Sequence, residues 1–193
     1  DSNTADNLEL WRMSMTFILG GARSGKSRFA QELAARLNKK VLLVATCEPL
    51  DDEMNARIKA HRRSRPRNWK TLEVPTDIAK AMRGKIGDAE VVIIDCMTLL
   101  VSNLMETEDI DAETFEKKVA AELEGLVAFM RTREAYFIIV SNEVGLGVVP
   151  AYPAGRLYRD ALGMANQMLA KNADEVYFMV AGIPISLKGA HSK

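Results

Sequence analysis

Eight residues near the start of the chain have the types and spacing to hold a polyphosphate. Gly20-Gly21-Ala22-Arg23-Ser24-Gly25-Lys26-Ser27 reads G-x-x-x-x-G-K-S. Glycines at such positions let backbone N–H groups turn inward around a β-phosphate. Lys26 would reach the β- and γ-phosphates, and the Ser27 hydroxyl would ligate Mg²⁺. An apolar run, Thr16 to Leu19, comes before the motif, and helix-forming sequence from Lys26 to Leu37 comes after it. A strand before and a helix behind set the phosphate at a helix N-terminus, where unpaired N–H groups and the helix dipole favour anions. That context separates the motif from a chance glycine-rich turn.

Three further stretches carry chemistry. Val91-Val92-Ile93-Ile94-Asp95 is four apolar residues followed by an acid. An acid at the C-terminal end of a central strand holds a metal's water shell opposite the Ser27 hydroxyl. Alone it would equally be a helix cap, but a phosphate loop in the same chain favours the metal role for Asp95. The second stretch, Asp51 to Glu73, is DDEMNARIKAHRRSRPRNWKTLE. On a helix Arg57, His61 and Arg65 fall at i, i+4 and i+8 and share one face, with Arg62 and Arg63 close by. Such a face is a solvated basic surface, a nucleic-acid patch, or a triphosphate clamp around a nucleophile. Arginines grip phosphate oxygens in forked, charge-assisted pairs. Positive neighbours also favour the neutral imidazole, which is the attacking form. The other histidine, His191, stands near the C-terminal end, so any histidine chemistry falls to His61. In the third stretch, Asn142-Glu143-Val144-Gly145 follows a strand and is expected to line the cleft, with Glu143 either contacting substrate or metal or shaping its own loop.

The elements that must position these residues alternate along the chain. Strand-like runs are Thr16–Leu19, Lys40–Ala45, Trp69–Val74, Val91–Asp95, Tyr136–Val140 and Glu175–Val180. Helical patterns cover Lys26–Leu37, Asp51–Ser64, Thr76–Arg83, 112–133 and 154–172, the fourth with Phe115, Val119, Leu123, Leu126, Val127 and Met130 at helical spacing. Alternation of this kind predicts an α/β fold, a mainly parallel sheet with helices on both faces. At 193 residues and 48% hydrophobic, the chain suits one domain with one core, expected over residues 15–193 behind a loose polar leader at 1–14. Equal numbers of Lys+Arg and Asp+Glu, 26 each, argue against a nucleic-acid or membrane partner. No apolar run reaches the ~20 residues of a membrane span. Two cysteines, Cys47 and Cys96, beside strands point to reduced thiols and a cytoplasmic protein.

GGARSGKS, then DDEM-x-x-RI-x-x-H-R-x-x-RP-x-x-W-x-T-x-E, VVIIDCMTLLVSNL and VSNEVGLGVVP together resemble the cobinamide kinase/cobinamide-phosphate guanylyltransferase family of cobalamin biosynthesis. The segment GRLYRDALGMANQMLAKNADEVYFMVAGIPISLK resembles the family's C-terminal part, so the similarity runs from about Met15 to Lys188. It implies a RecA-like P-loop NTPase fold, a homotrimer, and two reactions. The first phosphorylates adenosylcobinamide with ATP or GTP. The second transfers GMP from GTP to adenosylcobinamide phosphate through a GMP–histidine intermediate, giving adenosylcobinamide-GDP and pyrophosphate. The family's histidine falls on His61. Its nucleotide contacts fall on Gly20, Gly21, Ala22, Arg23, Ser24, Gly25, Lys26, Ser27, Val44, Ala45, Thr46, Arg62, Arg63, Ser64, Arg65, Glu73 and Asp95, with Ser27 and Asp95 toward Mg²⁺. Glu73 would bind guanine or ribose; from the residues alone it is equally a strand-edge acid. A small-molecule kinase without nucleotidyl transfer, or a nucleotide-binding regulator or nucleic-acid motor, remain the competing readings.

Overall fold

A computed structural model describes residues 14–47, 66–105 and 110–189. The helix expected over Asp51–Ser64 lies outside the described residues. Seven strands, β1 Met15–Gly20, β2 Val41–Ala45, β3 Lys70–Glu73, β4 Val91–Asp95, β5 Tyr136–Val140, β6 Glu175–Val180 and β7 Ile183–Lys188, form one sheet in the order β3-β2-β4-β5-β1-β6-β7. All neighbours are parallel except β6 and β7, which pair antiparallel. The continuous apolar runs of β2 and β4 sit in the middle, where both sheet faces are covered. The mixed sequence of β3 lies at one edge, with only Leu72 buried.

Five described helices cover the two faces: α1 Lys26–Arg36, α2 Ile78–Arg83, α3 Met97–Leu104, α4 Ala112–Met130 and α5 Pro153–Asn172. Strand alternation divides the core between them. Ile18, Leu43, Val91, Ile93, Ile138 and Val140 point toward α1 and meet Ala30 and Ala34. Phe17, Leu42, Val44, Val92, Ile94, Phe137 and Ile139 point the other way, into a larger cluster with α2, α3, α4 and α5. The apolar positions predicted for α4 are all buried in that cluster. Asp111 caps α4 by accepting from Thr114 N at 2.9 Å. Further along α4, the Glu122 carboxylate accepts from Asp77 N at 3.1 Å and Ile78 N at 2.9 Å, fastening the start of α2.

Two elements go beyond the sequence reading. α3 is a short helix directly after Asp95. β7 joins β6 through Ala181 and Gly182, whose φ angles of 51° and 83° make a two-residue hairpin turn. Ile183, Ile185 and Leu187 remain exposed on β7, so no buried-strand pattern marks it. Phe115 is among the largest side chains with no exposure. Phe115→Ala is expected to cost about 3–5 kcal/mol of folding stability by leaving a cavity between α4 and the sheet. Urea unfolding checks this through a lower midpoint at unchanged slope; an unchanged midpoint would place Phe115 outside the cooperative core.

Candidate active site

The phosphate loop begins where β1 ends and stops where α1 starts. Arg23 and Gly25 take left-handed conformations, with φ of 56° and 95°, which curls the chain between them into a cradle. Gly25 is the N-cap of α1 and no side chain caps it. The first-turn N–H groups are therefore left for an anion, and no acidic residue opposes one there. Two glycines are sterically required. A Cβ on Gly20 would lie 2.7 Å from the Met179 carbonyl oxygen, and a Cβ on Gly25 would lie 3.2 Å from the Gly182 Cα. The hairpin turn supports the loop from that side, since Gly182 N donates to Ser24 O at 2.9 Å.

Lys26 is buried, and its Nζ donates to Gly21 O at 2.6 Å, so the ammonium lies folded across the loop. Burial lowers its pKa, while the Asp95 carboxylate pushes it part of the way back up. That influence puts Lys26 and Asp95 in one electrostatic neighbourhood. Ser27 follows in the first turn of α1 and is partly exposed. Asp95 ends β4 on the α1 side, because Ile93 two residues earlier packs there. Burial first, and then Asp95, push the Cys96 thiol up to about 12, so it stays protonated and is no nucleophile. Neither Cys47 nor Cys96 is in a disulfide.

The sheet register sets the rest of the site. Glu73 pairs with Ala45, Ala45 with Asp95, and Asp95 with Val140. Glu73 and Asp95 thus flank β2 at one level, roughly 10 Å apart at normal strand spacing. Val44, Ala45 and Thr46 are fully buried at the end of β2. The Thr46 hydroxyl is already engaged: it donates to Cys96 O at 2.6 Å and accepts from Cys96 N at 2.9 Å, tying β2 to the segment after Asp95. His61, Arg62, Arg63, Ser64 and Arg65 lie outside the described residues. Glu143 shapes its own loop, its carboxylate accepting from Gly145 N and from Leu146 N.

Sequence reasoning did not single out the residues that hold these pieces in place. Asn103 on α3 donates to Thr46 O at 2.8 Å and Pro75 O at 3.0 Å, bridging the segments after β2 and β3. Thr98 on α3 accepts from Asn142 N at 2.9 Å. Buried Asn166 on α5 accepts from the Ser141 hydroxyl at 2.7 Å and donates to Asn142 O at 3.0 Å. The one available signal is an amide among the apolar positions Ala161, Leu162, Ala165 and Leu169 of α5.

The architecture and the sequence have known counterparts. The crystal structure of the flagellar accessory protein FlaH from Methanocaldococcus jannaschii superposes with a TM-score of 0.54 at 16% identity, over 98% of this chain and 89% of that one, a likeness of fold alone. The chain is 39% identical over 181 residues to the bifunctional adenosylcobalamin biosynthesis protein CobU of Escherichia coli, covering 90% of this chain and 99% of the relative. It is 41% identical over 172 residues to the bifunctional adenosylcobalamin biosynthesis protein CobP of Pseudomonas aeruginosa, covering 89% and 96%. A family model described as cobinamide kinase / cobinamide phosphate guanyltransferase matches residues 16–187. With the phosphate loop, the parallel sheet and these matches all spanning the same residues, the chain belongs to the cobinamide kinase / cobinamide phosphate guanyltransferase family.

Proposed function

We propose that this chain performs both transfers at one nucleotide site: ATP or GTP phosphorylates adenosylcobinamide, and GTP then gives GMP to the resulting phosphate with release of pyrophosphate. Family membership carries the pair of activities. The single structural observation behind the common site is the cradle in which uncapped α1, Lys26 and Asp95 meet on one sheet face. Phosphoryl transfer is chiefly positioning and charge neutralisation, which the loop amides and Lys26 supply. Gly20, Gly21, Ala22, Arg23, Ser24, Gly25, Lys26 and Ser27 wrap the phosphates. The segment from Val44 to Thr46, with Glu73 beyond it, borders the base and ribose end.

Ser27 and Asp95 offer a hydroxyl and a carboxylate, hard oxygen donors that suit Mg²⁺ when the nucleotide's own phosphate oxygens complete the shell. Among the described residues no three His, Cys, Asp or Glu side chains converge as a metal site of their own. Held by Ser27 and Asp95, Mg²⁺ would supply neutralisation of phosphate charge in both transfers. His61 is the residue proposed to attack the α-phosphorus, with Arg62, Arg63, Ser64 and Arg65 around the triphosphate. A covalent histidine divides the guanylyl transfer into two displacements and keeps GMP bound while the acceptor arrives.

The homotrimer is a proposal as well. The apolar positions of α4, the helix with enough of them to form a contact, are used inside the core. Val180 at the end of β6 and Ile183, Ile185 and Leu187 on the edge strand β7 are exposed apolar residues and are the better candidates for a subunit contact. Among the described residues no helix is long and apolar enough to cross a membrane; a cytoplasmic setting fits a chain that uses intracellular nucleotides. Light scattering at micromolar concentration should return three times the chain mass, and a monomer mass would remove the trimer.

Lys26→Ala and Asp95→Ala should each impair both activities by about 10²–10³-fold, the equivalent of about 2–4 kcal/mol of transition-state stabilisation. Turnover assays at saturating nucleotide check this, and near-normal kinase turnover would withdraw the role from that residue. With GTP labelled at the α-phosphate, denaturing electrophoresis should show a labelled chain whose bond is acid-labile and alkali-stable, as a phosphorus–nitrogen bond to imidazole is. His61→Ala should abolish that adduct and keep at least part of the kinase step. An undiminished adduct in His61→Ala would move the nucleophile to another residue.

A further inference from the structure

We propose that Asn142 is a catalytic residue of the kinase step, its side-chain amide donating a hydrogen bond to the terminal phosphoryl group of the bound nucleotide. The proposal rests on the nucleotide site described above and adds to it a residue just past the end of β5, the strand lying between the strand of the phosphate loop and the strand of Asp95. The β1–β5 ladder continues past its last paired strand residues, since Ser141 N donates to Ile18 O at 2.9 Å and Glu143 N to Gly20 O at 3.0 Å. Asn142 therefore stands in extended backbone beside Gly20, the first residue of the loop.

Strand alternation decides which way it faces. Phe137 and Ile139 point to the side of α3, α4 and α5, and the Ser141 hydroxyl follows them to reach Asn166 on α5. Ile138 and Val140 point to the α1 side. Asn142 falls in the second set. Asp95 belongs to that same set on the neighbouring strand, paired with Val140 two residues before Asn142. One face thus presents the loop, Lys26, the acid and this amide.

The main chain of Asn142 is fixed more firmly than a loop residue requires. Its N–H donates to the Thr98 hydroxyl at 2.9 Å and its carbonyl accepts from Asn166 Nδ2 at 3.0 Å. Thr98 is itself anchored, its carbonyl accepting from the Tyr158 hydroxyl at 3.1 Å. Helices on the far face thereby lock the backbone, while the half-buried side-chain amide on the α1 face has no partner among the described residues. A polar group positioned by other side chains and left without an internal partner is the arrangement of a preorganised ligand contact.

In the kinase transfer, a bond forms from the acceptor hydroxyl oxygen to the γ-phosphorus. The bond from that phosphorus to the β–γ bridging oxygen breaks, its electron pair stays on the nucleoside diphosphate, and the hydroxyl proton leaves to solvent. Asn142 moves no proton. Its N–H groups bind a non-bridging γ-oxygen as charge redistributes. Guanylyl transfer breaks a bond at the α-phosphorus and leaves the γ-group intact within pyrophosphate, so it depends less on Asn142.

Asn142→Ala should lower the kinase kcat by about 10²-fold, with KM for cobinamide within twofold and the melting temperature unchanged. The ratio of kinase turnover to the rate of GMP-adduct formation should fall at least tenfold. Asn142→Asp, of the same shape but anionic, should weaken the β,γ-imido analogue of GTP at least tenfold more than it weakens GDP. A kinase kcat within twofold of wild type in Asn142→Ala overturns the proposal. Loss of both activities together with the melting temperature also overturns it, because that reports a structural role. If wild-type protein forms no adduct, the His61 reading fails separately, and the GDP-to-analogue affinity ratio still decides Asn142.

Discussion

The uncapped N-terminus of α1 is the constraint around which the site is arranged. A helix begins with N–H groups that have no intrahelical partner, and in most helices a side chain or water satisfies them. Here the N-cap is Gly25, which has no side chain to offer, and the preceding turn is wound so that the backbone itself forms the anion cradle. Such an end is stable only if the chain around it is held open. Lys26 shows how that is managed, its ammonium bridging to the Gly21 carbonyl and bringing positive charge into a buried position. The cost of burying that charge is offset only in part, by the Gly21 hydrogen bond and by the field of nearby Asp95, so burial still lowers the Lys26 pKa.

A parallel sheet supplies the second constraint, because all its strands deliver their C-terminal ends to the same edge. β3, β2, β4, β5 and β1 end together, and with them Glu73, Ala45, Asp95, Asn142 and Gly20. Period-2 alternation then sorts these residues: one set faces α1 and the phosphate loop, while the other faces the helices packed on the far side of the sheet. Ser141 and Asn166 pair with each other on that far side, and the Thr46 hydroxyl is tied to the main chain of Cys96. The division explains how one edge can be rich in polar side chains without weakening the core beneath it.

The strands and helices that the sequence made legible are those with a burial pattern. β1, β2, β4 and β5 are mostly apolar runs, and α4 carries its apolar residues at helical spacing, so each is legible from the sequence alone. The phosphate loop was legible for a different reason: its backbone demands particular residue types at fixed spacing. β7 gave no such signal, being an edge strand whose large side chains face outward. α3 is too short for its periodicity to stand out. The supporting side chains Thr98, Asn103 and Asn166 were illegible because what defines them is a partner distant in sequence, and a lone threonine or asparagine in a helix does not name its partner.

That same limit bears on β7, which proves to matter for the site. The β6–β7 turn carries Gly182, whose N–H holds the Ser24 carbonyl while its Cα closes against Gly25. The phosphate loop is therefore clamped from two directions, by the segment after β5 through the Glu143 N–H on Gly20 O and by the hairpin through Gly182. The hairpin that buttresses the loop also exposes Val180, Ile183, Ile185 and Leu187. The turn between the strands that expose these side chains is thus the same one that holds the Ser24 carbonyl through the Gly182 N–H.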